Sequence, residues 1–208
     1  MLAIAGGKGG SGKTTTTLGL AAALDGPTLA VDADGDMPNL HTLAEVERTP
    51  TLGDARGDPA AVAQPYPADD GVSVLPAPVG GDADVSELLV RLSTSEADAT
   101  VLVDCPAGAG PDAAAPLRAA DGVLLASTLC APGLRDAAKT AAMARALGTP
   151  VRGAVLTRTR LAPDRLADLL GCPVLAAVPE VDPPVLRDPA VEAAYARVAA
   201  ALGPEEDI

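Results

Sequence analysis

Gly7-Lys8-Gly9-Gly10-Ser11-Gly12-Lys13-Thr14-Thr15 is the stretch on which the reading of this chain turns. Gly7 to Thr14 fits the pattern G-x-x-x-x-G-K-S/T, and that pattern carries a mechanism. Glycines let the chain turn with its N–H groups facing inward, where they hold phosphate oxygens. In such a loop Lys13 supplies a point charge for β- and γ-phosphates, and the Thr14 hydroxyl is a Mg²⁺ ligand. The spacing means this only between a strand and a helix. Leu2–Ala5 ahead of it is a short apolar run. Lys13–Leu24 behind it reads as a helix, whose positive dipole end meets the same anion. The nine residues therefore predict a nucleotide-phosphate site.

Outward from the loop, short apolar runs alternate with helical patterns, as in a parallel sheet covered by crossover helices. Candidate strands are Leu2–Ala5, Thr28–Val31, Val72–Leu75, Thr100–Val103, Gly122–Ala126, Gly153–Leu156 and Val174–Val178. Several lack period-two alternation, which fits strands buried on both faces. Candidate helices are Lys13–Leu24, Val85–Leu92, Ala113–Ala119, Leu134–Leu147, Pro163–Leu170 and Pro189–Leu202, with Gly148 and Gly203 as C-cap stops. Thr49 to Gly81 breaks the rhythm with Pro50, Pro59, Pro65, Pro67, Pro76 and Pro78, and reads mostly as surface loop flanking Val72–Leu75. The expected fold class is α/β: three layers, with a mostly parallel central sheet and helices on both faces. At 208 residues the chain is expected to be one domain, 1–208.

Composition removes several function classes. Hydrophobic residues make up 48%, so a large core is available, yet there are two Tyr, no Phe and no Trp. Platforms for stacking bases are nearly absent, which argues against binding single-stranded nucleic acid by stacking. The net charge of −13 repels phosphate backbones and anionic lipids unless basic residues cluster locally. Cys105, Cys130 and Cys172 form no C-x-x-C, so they read as reduced cysteines of a cytoplasmic protein, not a disulfide framework or zinc site. No apolar run approaches the roughly 20 residues that span a bilayer. The start, MLAIAGGKGG, lacks a basic n-region and is not expected to be a secretory signal.

Two further segments carry chemistry. Val31-Asp32-Ala33-Asp34-Gly35-Asp36-Met37-Pro38-Asn39-Leu40 sets carboxylates at the C-terminal end of a parallel strand, where open α/β sheets bind ligands. A polar turn accounts for Asp36 but hardly for Asp32, directly after a buried run. Thr100–Val103 leads into Asp104, an acid placed to accept a hydrogen bond from Mg²⁺-bound water or from Thr14.

Lys8 is the informative departure. Lys8-Gly9-Gly10-Ser11-Gly12-Lys13-Thr14-Thr15 resembles the deviant phosphate loop KGGxGKTT of the ParA/MinD family of P-loop ATPases. That resemblance implies ATP/ADP and Mg²⁺ as ligands, slow ATP hydrolysis, and a homodimer in the ATP state. In it Lys8 reaches the partner's phosphates and brings charge in trans, as an arginine finger does. The D-x-D of Asp32 and Asp34 is similar to the family's switch I, implying that Asp34 orients or activates the attacking water and Asp32 helps hold Mg²⁺ through its waters. Asp104-Cys105-Pro106-Ala107-Gly108 is similar to the switch II pattern D-T/S-P-A/P-G. Cys105 stands where a hydroxyl residue is usual, and a thiol is a weaker donor. Gly108 would let the segment rearrange when the γ-phosphate leaves.

The likeness continues through Ala119–Leu125, Leu134–Lys139, Gly153–Arg158 and Val178–Glu180. It implies a base pocket at Thr157, Arg158, Pro179 and Glu180, with Thr157 replacing the usual Asn. The implied role is a switch that positions or partitions a cargo through an activator or cargo protein. Two alternatives stay open: a nucleotide-locked binding module with negligible hydrolysis, and a ParA-like DNA-binding partition ATPase. For the latter, Arg145, Arg152, Arg158, Arg160 and Arg165 could form a local basic face, although DNA is not favoured. The loop begins near Met1, so no N-terminal DNA-binding domain is expected. The ending Ala199–Ile208 is acidic and broken by Pro204, so no direct membrane anchor is expected. Iron–sulfur carriers of related fold would need a C-x-x-C pair. Dethiobiotin-synthetase-like enzymes fit Lys8 and the D-x-D less well. Three Lys against twelve Arg, with Asp far above Glu, resembles proteins of salt-loving archaea; a GC-rich genome favours the same residues.

Overall fold

β1 (Leu2–Ala5) is buried along its whole length and lies between β5 (Thr100–Asp104) and β6 (Gly122–Thr128), parallel to both. Beyond β5 come β2 (Thr28–Asp32) and β4 (Asp69–Leu75); beyond β6 come β7 (Val151–Thr157) and β8 (Val174–Ala177), all parallel. β3 (Gln64–Tyr66) closes the far edge antiparallel to β4. In this computed structural model, which describes residues 1–7, 9–55, 59–78, 84–94, 99–108 and 110–203, the sheet order is β3-β4-β2-β5-β1-β6-β7-β8. Lys8 and the tail from Pro204 to Ile208 lie outside the described residues.

Helices α1 (Lys13–Ala21), α2 (Leu40–Leu43) and α7 (Pro189–Leu202) cover one face of the sheet. Helices α3 (Val85–Ser93), α4 (Pro111–Ala119), α5 (Ala131–Ala146) and α6 (Arg165–Leu170) cover the other. This is the expected three-layer α/β architecture. Alternation along β1 sends Leu2 and Ile4 into the first core and Ala3 and Ala5 into the second. With few rings to fill space, one aromatic locks the first layer. The Tyr195 ring of α7 lies so close to Gly19 of α1 that a Cβ there would sit 2.3 Å from two ring carbons. Its hydroxyl is 3.3 Å from Thr16 Oγ1. The helix that begins in the glycine loop is thereby fixed to α7.

The expectation of mostly loop across Thr49–Gly81 needs correction. That stretch contains β3 and 3₁₀ turns at Leu52–Asp54 and Pro59–Val62, and β4 begins at Asp69. Pro65 sits within β3 because an edge strand tolerates a missing donor. Helix α1 stops at Ala21, short of Leu24, and the chain turns at Gly26, whose φ is 85°. Strands β2 and β5 run one residue further than the apolar runs and end on Asp32 and Asp104, which are direct neighbours in register. Among the described residues no helix is long and apolar enough to cross a membrane.

Candidate functional site

The loop between β1 and α1 is clamped from two sides. A Cβ on Gly7 would fall 2.2 Å from Asp136 Cβ and 2.7 Å from its carbonyl carbon, so the backbone of α5 presses directly on the loop's start. On the other side, the Thr157 hydroxyl at the end of β7 donates to the Ser11 carbonyl at 2.8 Å. Gly10 and Gly12 have φ of 78° and 88°, the left-handed region that glycine enters without steric cost. Gly9 and Gly10 face open space, with no atom within 4 Å of a Cβ placed there. Lys13 opens α1 and is buried, while Thr14 and Thr15 are half-buried.

Behind the loop sit the two strand-end acids. Asp104 is fully enclosed, and its Oδ1 has no hydrogen-bond partner among the described residues. Burial first, then the charge of Asp32, raises its pKa to about 7, although the Thr14 hydroxyl and the Lys13 ammonium pull it down. Burial also raises Asp32 to about 6, against the lowering effect of its backbone donors. Those donors define what Asp32 does. Its Oδ1 accepts from Asp34 N at 2.9 Å, and its Oδ2 from Asn39 N at 3.2 Å and Leu40 N at 3.1 Å. The whole turn after β2 is wrapped around this one carboxylate. Asp34 is held in turn, its Oδ1 accepting from Met37 N at 3.0 Å.

These elements surround a cleft of about 490 Å³. Of the residues predicted from sequence, it brings together Gly9, Gly10, Gly12, Lys13, Thr14, Thr15, Asp34 and Arg158. Gly7, Ser11, Asp32 and Asp104 support the cleft from behind and do not line it. Arg158 reaches it from a left-handed backbone with φ of 54°. Thr157 faces the underside of the loop, its single donor spent on Ser11. Pro179 is buried and Glu180 exposed; neither lines the cleft, and their segment is tied to the chain after β7 by Thr159 N donating to the Val178 carbonyl at 2.9 Å.

Sequence reasoning missed Asn39. The Thr14 hydroxyl donates to its Oδ1 at 2.7 Å, linking loop and turn directly. The signal was present as N-L after D-x-D, but an Asn in a turn reads first as a cap. Cys105 is buried with its thiol 3.6 Å from the Val103 carbonyl, pointing into the core, and burial pushes the thiol pKa up. Arg145 is exposed and donates to the Leu170 and Gly171 carbonyls at 2.7 and 2.9 Å, closing the end of α6.

The arrangement suits a triphosphate and a hydrated divalent cation. Among the described residues no group of three or more His, Cys, Asp or Glu could hold a metal by side chains alone. Mg²⁺ characteristically keeps waters and binds through one or two protein groups plus phosphates. The orphaned Asp104 Oδ1, next to the Thr14 hydroxyl, is a donor set of that kind. A cation there would offset the burial of the carboxylate.

Residues 2–191 match the family described as CobQ/CobB/MinD/ParA nucleotide binding domain. An uncharacterized ATP-binding protein of Methanocaldococcus jannaschii is 34% identical over 201 residues, covering 88% of this chain and 75% of the relative. The septum site-determining protein MinD of Pyrococcus horikoshii, solved with Mg-ADP, superposes with a TM-score of 0.83 at 25% identity, covering 97% of this chain and 95% of that one. The cell division ATPase MinD of Pyrococcus furiosus superposes with a TM-score of 0.81 at 28% identity, covering 97% of each chain. With the glycine loop, the paired strand-end acids and the sheet order, these likenesses show that the chain belongs to the CobQ/CobB/MinD/ParA family of nucleotide-binding domains and sits with its MinD/ParA members.

Proposed function

We propose that this chain is an ATP-hydrolysing switch of the MinD/ParA kind, one domain over residues 1–208. It closes as a homodimer on ATP and Mg²⁺, hydrolyses slowly, and signals its nucleotide state to an activator or cargo protein. The observation that carries this reading is one convergence. An open glycine loop, the Lys13–Thr14 pair and Asp34 line one cleft, and the orphaned Asp104 Oδ1 stands behind it, the four coming from four different elements.

Each residue has a job in that reading. Backbone N–H groups of Gly9–Thr15 cradle the phosphates, and the buried Lys13 ammonium faces the β- and γ-oxygens. Thr14 and Asp104 hold Mg²⁺, which neutralises charge on the phosphate oxygens when bound. Asp34 positions the water. The water oxygen bonds to the γ-phosphorus as the bond to the β–γ bridging oxygen breaks, giving ADP and inorganic phosphate. Asp32 acts on that step by keeping the turn folded around itself, and it would help hold Mg²⁺ through the ion's waters. Lys8 lends its ammonium to the partner's triphosphate. Arg158, Pro179 and Glu180 flank the base.

The favoured partner is a protein: a net charge of −13 works against phosphate backbones and anionic lipid surfaces. DNA contact through the exposed Arg145, Arg152, Arg158, Arg160 and Arg165 is the second reading. Buried Cys105 and Cys172 suit a cytoplasmic chain. The acid-rich, lysine-poor composition suits a protein that keeps its stability at molar KCl. Hydrolysis is tested by single-turnover phosphate release from wild type and Asp34→Ala. A slow wild-type rate abolished in the variant is expected; equal rates would instead describe a nucleotide-locked module.

A further inference from the structure

We propose that Thr157 is a positioning residue of the phosphate loop: its hydroxyl sets the Ser11–Gly12 peptide, and through it the affinity for any triphosphate whatever its base. This deepens the nucleotide reading and rests on it.

Thr157 is the last residue of β7 and is buried. It pairs in register with Thr128 of β6, so its backbone is held to the sheet. Its one hydroxyl proton goes to the Ser11 carbonyl at 2.8 Å. Its methyl group lies 2.8 Å from where a Cβ on Gly12 would be. Gly12 is the N-cap of α1, its φ is 88°, and no side chain caps that helix. The Gly12 carbonyl already accepts from Thr16 N at 2.8 Å. The Ser11–Gly12 peptide is thus the pivot at which loop becomes helix, with Thr157 bracing it from beneath. A buried carbonyl stripped of its donor costs more than a hydrogen bond gains. Rotation of that peptide toward water is the relief, and it turns the loop's N–H groups away from the phosphates.

The same geometry fixes what Thr157 does not do. Asn at this position would have two donors and an acceptor to divide between loop and base. Thr has one donor, and it is committed. The contribution of Thr157 is therefore independent of the base.

The test compares Thr157→Val, which keeps the methyl and loses the donor, with Thr157→Ser, which keeps the donor. Amide exchange over residues 10–13 is followed in the nucleotide-free protein. Binding of ATP, GTP and inorganic tripolyphosphate is titrated with Mg²⁺. Thr157→Val should exchange faster and bind all three about tenfold more weakly, while Thr157→Ser stays within about twofold of wild type on both readouts. Unchanged exchange in Thr157→Val overturns the brace. A loss confined to ATP, with tripolyphosphate unaffected, overturns it in favour of base reading. Equal damage in both variants reduces Thr157 to packing. Wild type that binds none of the three contradicts the nucleotide reading itself, and the brace is then decided by exchange alone.

Discussion

The Thr14 hydroxyl and the Asn39 side chain are joined by a 2.7 Å hydrogen bond. This bond ties the first turn of α1, which carries the phosphate loop, to the turn after β2, which carries Asp34. Asn39 N also donates to Asp32 Oδ2, so the same residue is anchored at both ends. A ligand in the cleft that engages the Thr14 hydroxyl would therefore act on the shape of that turn.

Asn39→Ala cuts this bond and leaves every residue of the phosphate loop in place. Turnover should fall about tenfold or more, while ADP affinity changes by less than about threefold, the pattern of an interaction used in the transition state and not the ground state. Steady-state hydrolysis beside ADP titration measures it. Parallel loss of both would place Asn39 in ground-state binding.

In the proposed site Lys13 pairs with the phosphates, and truncating one partner of such a desolvated charge pair costs about 2–5 kcal/mol, so Lys13→Ala should lower nucleotide affinity at least about thirtyfold. Fluorescent-nucleotide titration reads this, and retained affinity would show that the backbone N–H groups suffice.

Gly7→Ala tests the clamp by α5. The added methyl meets Asp136 backbone and side-chain carbons at 2.2–2.8 Å, none of them the far end of a flexible chain. Overpacking of this kind costs about 1–3 kcal/mol. Denaturant unfolding should show that loss, whereas an unchanged midpoint would mean that α5 can retreat from the loop.

Acid should stabilise the nucleotide-free protein through its paired carboxyls. Asp104 and Asp32 are raised from 3.8 to about 7 and about 6, so the folded state keeps protons that the unfolded chain has released. Their contribution is full below the unfolded value and is lost as pH rises through about 6 to 7. Thermal midpoints in EDTA should therefore fall between about pH 5 and about pH 7.5 more steeply for wild type than for Asp104→Asn. Parallel slopes would deny Asp104 that raised pKa.

Much of this was legible in the chain because parallel strands buried on both faces leave unbroken apolar runs. Leu2–Ala5 and Pro189–Leu202 are found with the expected limits. β3 was not legible, since Gln64-Pro65-Tyr66 has no apolar run and the strand exists only through pairing with β4. The loop residues were readable because glycine spacing and Lys-Thr are local signals. The use of Thr157 was not, because its partner Ser11 lies 146 positions away and only the fold brings them together. Asp32 was readable as an important acid, yet its grip on three backbone donors needed the turn to be seen folded.

In the proposed switch two copies close over two triphosphates, each giving the other Lys8. The most direct measurement is the solution mass of wild type and Lys8→Ala with Mg²⁺ and a non-cleavable ATP analogue, by light scattering or sedimentation. Wild type is expected as a dimer and Lys8→Ala as a nucleotide-bound monomer. A wild type that stays monomeric when saturated, or a Lys8→Ala variant that still dimerises, would contradict it.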